Sequence, residues 1–212
     1  MTRGGPHPSP RVFLLSPARL DGERARQLFH PRTPFSTASA LRTGAGAPIG
    51  DVFSFLSGLY FRGKLAYART FARPPAGAEG VLVITTNRGL LPSSTRLSID
   101  DLARFAETDI HHESEEFRAP LARDARTLDR VLGGLGDVVL LGSIATAKYV
   151  DVLLDVFGDR LLFPTAFVGR GDMSRGGLLL RHVDAKEELE YAPVRGATRR
   201  GARPPKLAPR GR

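Results

Sequence analysis

The chain predicts a three-layer α/β/α protein with a mostly parallel central sheet of four to five strands, on three observations. Val12-Phe13-Leu14-Leu15, Val81-Leu82-Val83-Ile84 and Val138-Val139-Leu140-Leu141 are short, continuous apolar runs, each followed by polar or glycine residues. That is the pattern of a strand buried on both faces, which parallel sheets require. The segments between the runs carry a helical period, as right-handed crossovers need. Finally, 212 residues with 42% apolar and 25% charged content are enough to bury roughly 70% of the unfolded surface in one domain.

The elements follow in order. Residues 1–10 are rich in Pro, Gly and Ser and predict disorder, residues 11–194 a single α/β domain, and the Pro/Gly/Arg-rich tail 195–212 disorder again. Val12–Leu15 is the first strand, ending at Ser16-Pro17. Asp51 to Ala72 is apolar on most sides and reads as a buried helical segment. Gly58 and Gly63 inside it imply either close backbone packing or a break, and periodicity does not choose between them. After the strand Val81–Ile84 comes the turn Thr85-Thr86-Asn87-Arg88-Gly89. Ser98 with Asp101 forms a capping box for a short helix through Phe105. Phe117, Leu121, Ala125, Leu128 and Leu132 line one face of a helix expected to carry Pro120 in its first turn and to end by Gly133-Gly134.

Asp137 to Phe163 reads as strand, Gly142-Ser143, helix, Gly158, strand, with Ser143 as N-cap and Gly158 as the stop. Tyr149, Val150, Leu153, Val156 and Phe157 form that helix's buried stripe. Lys148, Asp151 and Asp155 form its wet face. Leu161–Phe163, stopped by Pro164, is a fourth strand, and Leu178-Leu179-Leu180 is expected to add a fifth.

Charge and composition exclude several classes of function. The formal charge is +9, yet Val12 to Val194 holds 22 basic and 22 acidic residues, so the excess belongs to the termini. A basic groove in the body therefore does not follow from net charge. The tail residues Arg199, Arg200, Arg203 and Lys206 suit nucleic acid held through phosphate neutralisation, or simply a solvated segment of an arginine-rich chain. With no cysteine there are no disulfides, thiol nucleophiles or thiolate zinc sites. No apolar run has signal-peptide or membrane-spanning length, so the expectation is a soluble, cytoplasmic chain with no membrane partner. His111-His112, with Asp109 and Glu113, does not suit one metal ion, because adjacent side chains diverge. No metal is expected. Neither Walker nor dinucleotide glycine spacing occurs, and no motif names a cofactor.

Ligands of open α/β sheets bind beyond the carboxyl ends of the strands, which brings Ser16–Arg19, Thr85–Gly89, Gly142–Lys148 and Gly169–Gly177 into one expected crevice. Gly142-Ser143 at a strand-to-helix junction offers backbone N–H groups to an anion, and Lys148 reaches the same anion or pairs with Asp151. In Gly169-Arg170-Gly171-Asp172-Met173-Ser174-Arg175-Gly176-Gly177, four glycines let a loop turn its N–H groups inward. Arg170 and Arg175 supply forked donors there, and Asp172 is the acid/base candidate. The alternative is a solvated turn between strands. Asn87, Arg88 and Gly89 make a turn or read a ligand edge. Tyr60, Arg62 and Lys64 either project into the crevice or, at helical spacing, belong to the core.

Over Val81 to Pro92 and Gly142 to Arg181 the chain resembles a small, uncharacterised family of bacterial proteins. More remotely, Thr85 to Pro92 is similar to the Ser-Pro-x-Gly-x-Val-Pro turn in the uracil-DNA-glycosylase-like domain of archaeosine synthases, which work on modified bases in tRNA. Gly89 and Pro92 are kept, and Asn87-Arg88 stands where that turn has its Ser-Pro pair. The resemblance implies a nucleotide or base near the sheet's carboxyl edge. Two expectations follow: an enzyme acting on a nucleoside, nucleotide or nucleic-acid base, or a non-catalytic nucleic-acid-binding protein that uses the basic tail.

Overall fold

The computed structural model describes residues 9–108, 114–145, 147–205 and 207. In chain order it contains β1 (Arg11–Leu15), α1 (Glu23–Phe29), α2 (Ser36–Arg42), β2 (Ala47–Pro48), α3 (Ile49–Ser57) and α4 (Leu59–Phe71). Then come β3 (Val81–Ile84), β4 (Leu90–Pro92), β5 (Arg96–Leu97), α5 (Ile99–Glu107) and α6 (Glu115–Val131). The chain continues through β6 (Asp137–Leu141), α7 (Val150–Phe157), β7 (Leu161–Pro164), α8 (Asp172–Ala185) and β8 (Tyr191–Pro193).

The main sheet has six strands rather than the expected four to five, in the order β4-β3-β1-β6-β7-β8, because two short antiparallel edge strands are added outside the four apolar runs. Its four inner strands are parallel and the two edges antiparallel, so the three-layer, mostly parallel architecture holds. The apolar runs form its centre, with Val12 opposite Val138 and Phe13 opposite both Val81 and Val139. Alternation divides them between two cores. Phe13, Leu15, Val83 and Leu141 face the layer holding α1 to α5 and α8. Val12, Leu14, Ile84 and Leu140 face α6 and α7. Edge strands β4 and β8 end in Pro92 and Pro193, residues that no inner strand tolerates in mid-ladder. No described helix is long and apolar enough to cross a membrane.

Both readings of the glycines in the buried segment are realised, one at each position. Gly58 takes φ 60°, ψ −126° and breaks the segment into α3 and α4. Gly63 stays inside α4 and meets Gly176 of α8, where a Cβ would fall 2.8 Å from the Gly176 carbonyl oxygen. The Ser98–Asp101 capping box is present, with both reciprocal hydrogen bonds.

Three local expectations need correction. Leu178-Leu179-Leu180 is not a strand but lies inside α8; a short leucine run fits either element, and packing on α4 through Gly176 selects the helix. The stretch from Asp172 to Gly177 is accordingly the start of that helix, not the second half of a glycine loop. Pro120 sits beyond the first turn of α6, because the helix begins at Glu115.

The tail is described from Arg195 to Pro205 and at Leu207, and there it runs along the body. Arg195 pairs with Asp159 at 3.0 Å, Arg170 donates to the Pro205 carbonyl at 3.4 Å, and Leu207 packs against the larger core.

Candidate functional site

The strand order changes direction at β1, since β3 lies on one side of it and β6 on the other. The crevice beyond the carboxyl ends of such neighbouring strands is where open sheets accept ligands. Ser16 follows β1 there and its N–H donates to the Leu141 carbonyl at 3.2 Å, while Gly142 follows β6. A Cβ on Gly142 would stand 2.8 Å from both the Ser16 Cβ and the Tyr149 hydroxyl, so glycine allows these groups to meet.

Lys64 enters this point from α4. Its helix buries Tyr60, Phe61, Lys64, Tyr67 and Phe71 on the sheet side, and Lys64 is only 1% exposed. The Nζ donates to the Ser16 carbonyl at 2.6 Å and to Ser16 Oγ at 2.9 Å. It also lies 4.6 Å from the ring centroids of Tyr60 and Phe61. Among the described residues no carboxylate forms an ion pair with it. Burial therefore dominates its titration: loss of water lowers the Lys64 pKa to about 7, against the attraction of Asp172 and with the repulsion of Arg175.

Two tyrosines complete the enclosed part. Tyr149 donates to the Ser143 carbonyl at 3.0 Å beside Ser16, and burial pushes its phenol up to about 12. The Tyr60 hydroxyl is buried with no acceptor for its proton, and burial likewise raises its pKa while the Arg175 guanidinium, lying close to its oxygen, opposes the rise. A buried hydroxyl in that state is uncommon and marks a donor that lacks its acceptor.

Arg175 stands at the inner end of the outer rim, its side chain 15% exposed. Its Nε and one terminal nitrogen donate to the Phe167 carbonyl at 3.3 and 3.2 Å, and the guanidinium covers the Phe167 ring. Asp172, one turn earlier on α8, lies 3.6 Å from it with a largely exposed carboxylate. Ser16, Tyr60, Lys64, Tyr149 and Arg175 are all donors, and among the described residues Asp172 is the acidic group beside them. Such a set suits an oxyanion or a polarised carbonyl oxygen.

The expected crevice is thus assembled only in part. Gly142, Ser143, Asp172 and Arg175 belong to it, as do Tyr60 and Lys64, whereas Arg62 faces solvent. Gly142-Ser143 is not a helix N-terminus: α7 begins at Val150, and Ser143 Oγ accepts from Ala145 N at 3.3 Å rather than capping it. Arg170 is occupied by the Ala166 carbonyl at 3.0 Å and Ser174 Oγ at 3.2 Å. Gly171 is the N-cap residue of α8, and Gly176 serves the helix crossing.

The turn after β3 is self-contained. Asn87 donates to the Arg104 carbonyl at 3.0 Å and Thr108 Oγ1 at 2.9 Å, Arg88 pairs with Asp101, and Gly89 packs against Asp124 and Pro120. Arg199, Arg200 and Arg203 are exposed, whereas Lys206 lies outside the described residues. Asp109, His111, His112 and Glu113 also lie outside them. Among the described residues no group of His, Asp and Glu is gathered to hold a metal.

Ser16 is expected near the crevice only within a loop and Lys64 only as a crevice-or-core alternative, with no role assigned to either, and Tyr149 only in the buried stripe of its helix. A lysine between Phe61 and Leu65 on an apolar helix is the available signal, because a buried charge without a carboxylate needs a reason. Two clefts of about 340 and 290 Å³ open elsewhere, one beside Leu82, Leu90 and Val131 and one between α6 and α7. Neither holds this combination of groups. No protein-family model, no curated protein and no solved structure matches the chain.

Proposed function

We propose that this chain is a cytoplasmic enzyme acting on a nucleoside, nucleotide or nucleic-acid base, with the ligand's oxyanion or carbonyl oxygen held at the carboxyl edge of the sheet. The contact of buried Lys64 with Ser16, with Tyr60 and Arg175 beside the lysine, carries the reading. Enclosed donors of this kind are strong where water is excluded, and they orient one end of a ligand. Asp172 at the rim serves as the acid or base exchanging a proton with the bound base. The resemblance of Thr85–Pro92 to the archaeosine-synthase turn supports the choice of a nucleobase.

A thermal-shift panel of nucleosides, nucleotides and free bases tests the proposal. A ligand at 100 times its Kd adds about 2.7 kcal/mol of stability. At least one member raises the melting temperature of the wild type, and Arg175→Ala removes that rise. No rise from any member overturns the reading.

The exposure of Arg199, Arg200 and Arg203 supports a second reading, nucleic-acid binding through the tail. Replacing all three by alanine spares the backbone contacts of the tail and lowers the slope of log affinity against log salt by about 0.9 for each phosphate no longer neutralised. Unchanged affinity and slope for single- and double-stranded oligonucleotides dismiss it.

A further inference from the structure

We propose that Ser16 is a nucleophile for acyl transfer, with Lys64 as its general base and Tyr60 and Arg175 as donors to the oxyanion, on an anionic substrate that carries an ester or amide carbonyl. The inference rests on reading the carboxyl edge as the active site, and it adds the class of bond attacked.

Three observations support it. Lys64 Nζ lies 2.9 Å from Ser16 Oγ, within the reach that proton transfer requires. The amine itself is closed in by the Ser16 carbonyl, Ser16 Oγ and the rings of Tyr60 and Phe61, so it is placed to serve Ser16 rather than to attack a substrate. The Tyr60 hydroxyl, buried and with no acceptor for its proton, is carried by the ring that covers Lys64. The partners of Lys64 are neutral oxygens and ring faces, and among the described residues no carboxylate forms an ion pair with it. With its pKa near 7 it is substantially uncharged at neutral pH and has a lone pair to offer.

The chemistry balances without an oxidant or reductant. Ser16 Oγ bonds to the carbonyl carbon while its proton passes to neutral Lys64, and the carbonyl π pair moves onto oxygen. As the intermediate collapses, the bond to the leaving oxygen or nitrogen breaks, and that atom takes the proton from Lys64. Water then attacks the acyl-Ser16 ester, giving its proton to Lys64. Ser16 Oγ departs with that proton and a carboxylic acid is released. Among the described residues, Asp172 and Arg175 on α8 act on Lys64 and the Tyr60 ring on α4 covers it, while Tyr149 before α7 meets Ser16, so the pH response belongs to this set.

The test is incubation of the full chain with p-nitrophenyl acetate, followed by peptide mapping of the acetyl group and a pH series. The expected result is acetyl on Ser16, formed at a rate that rises through about pH 7, abolished in Ser16→Ala and reduced about a hundredfold in Lys64→Met, the scale of a lost general base. Lys64→Met keeps a buried apolar stem, and its fold is checked by circular dichroism. Acetyl on Lys64, no adduct on Ser16, or undiminished labelling in a folded Lys64→Met overturns the inference. The ligand panel separates this result from the preceding proposal. A nucleotide shift without Ser16 acetylation keeps the ligand reading and removes the nucleophile; acetylation without any shift does the opposite.

Discussion

A buried ammonium is expensive unless it is paired or neutral, and Lys64 illustrates the consequence at the scale of one side chain. The sign of its pH effect is determined by two pKa values, 10.5 in the unfolded chain and about 7 in the folded one. Between them the unfolded chain binds a proton that the folded chain does not, so stability increases with pH by up to about 1.4 kcal/mol per unit. Below pH 7 both forms are charged and the full penalty is present. Lys64→Met lacks this dependence. In urea titrations the stability of the wild type relative to Lys64→Met rises between pH 7 and pH 9 and is flat below pH 6; parallel curves across that range contradict the burial account. Above pH 10 the raised tyrosines act in the other direction, because the unfolded phenols ionise first.

At the scale of elements, the position of Lys64 depends on how closely α4 approaches α8. A Cβ on Gly176 would lie 2.7 Å from the Leu59 carbonyl oxygen and 2.8 Å from Tyr60 Cα, so the two helices touch backbone to backbone. Gly176→Ala gains about 1 kcal/mol of helix propensity but forces the helices apart, and overpacking of this kind costs about 1–3 kcal/mol. The net expectation is a lower melting temperature, and any ligand-induced shift should weaken because Lys64 moves away from Ser16. A variant as stable as the wild type that retains its ligand response shows that the contact is not tight. The broken α3–α4 segment obeys similar logic: Gly58 supplies a backbone conformation that turns α4 back across β1, and the periodicity on either side offers no hint of where the break falls.

Across the whole molecule, a second polar network joins distant parts of the chain. Glu188, following α8, accepts from Arg11 at 2.7 Å, Arg73 at 3.0 Å and Tyr191 at 3.2 Å, and Arg11 also pairs with Asp137 at 2.8 Å. It ties the starts of β1 and β6 to the ends of α4 and α8. Glu188→Ala leaves two partly buried guanidinium groups with fewer acceptors and should lower stability by about 1–3 kcal/mol in chemical denaturation. The Ser16 site should keep its ligand response, since none of these residues lines it. Loss of that response in a folded Glu188→Ala would show that the two networks are coupled.

The central strands were legible because burial on both faces leaves an uninterrupted apolar run, as in Val138–Leu141. Edges β4 and β8 were not, being three-residue segments that include proline. Leu178–Leu180 misled for a related reason: an apolar run shorter than one heptad carries no period. Local chemistry in the chain was therefore enough to establish the layered class and the parallel strands, and to show which edge would collect the loops. It could not show that Lys64 of α4 meets Ser16, or that Tyr149 and Arg175 close around them. Those contacts join segments far apart in the chain, and they arise from helix packing across the sheet at glycine-to-glycine distance. No local pattern records which buried polar groups will face one another once that packing is complete.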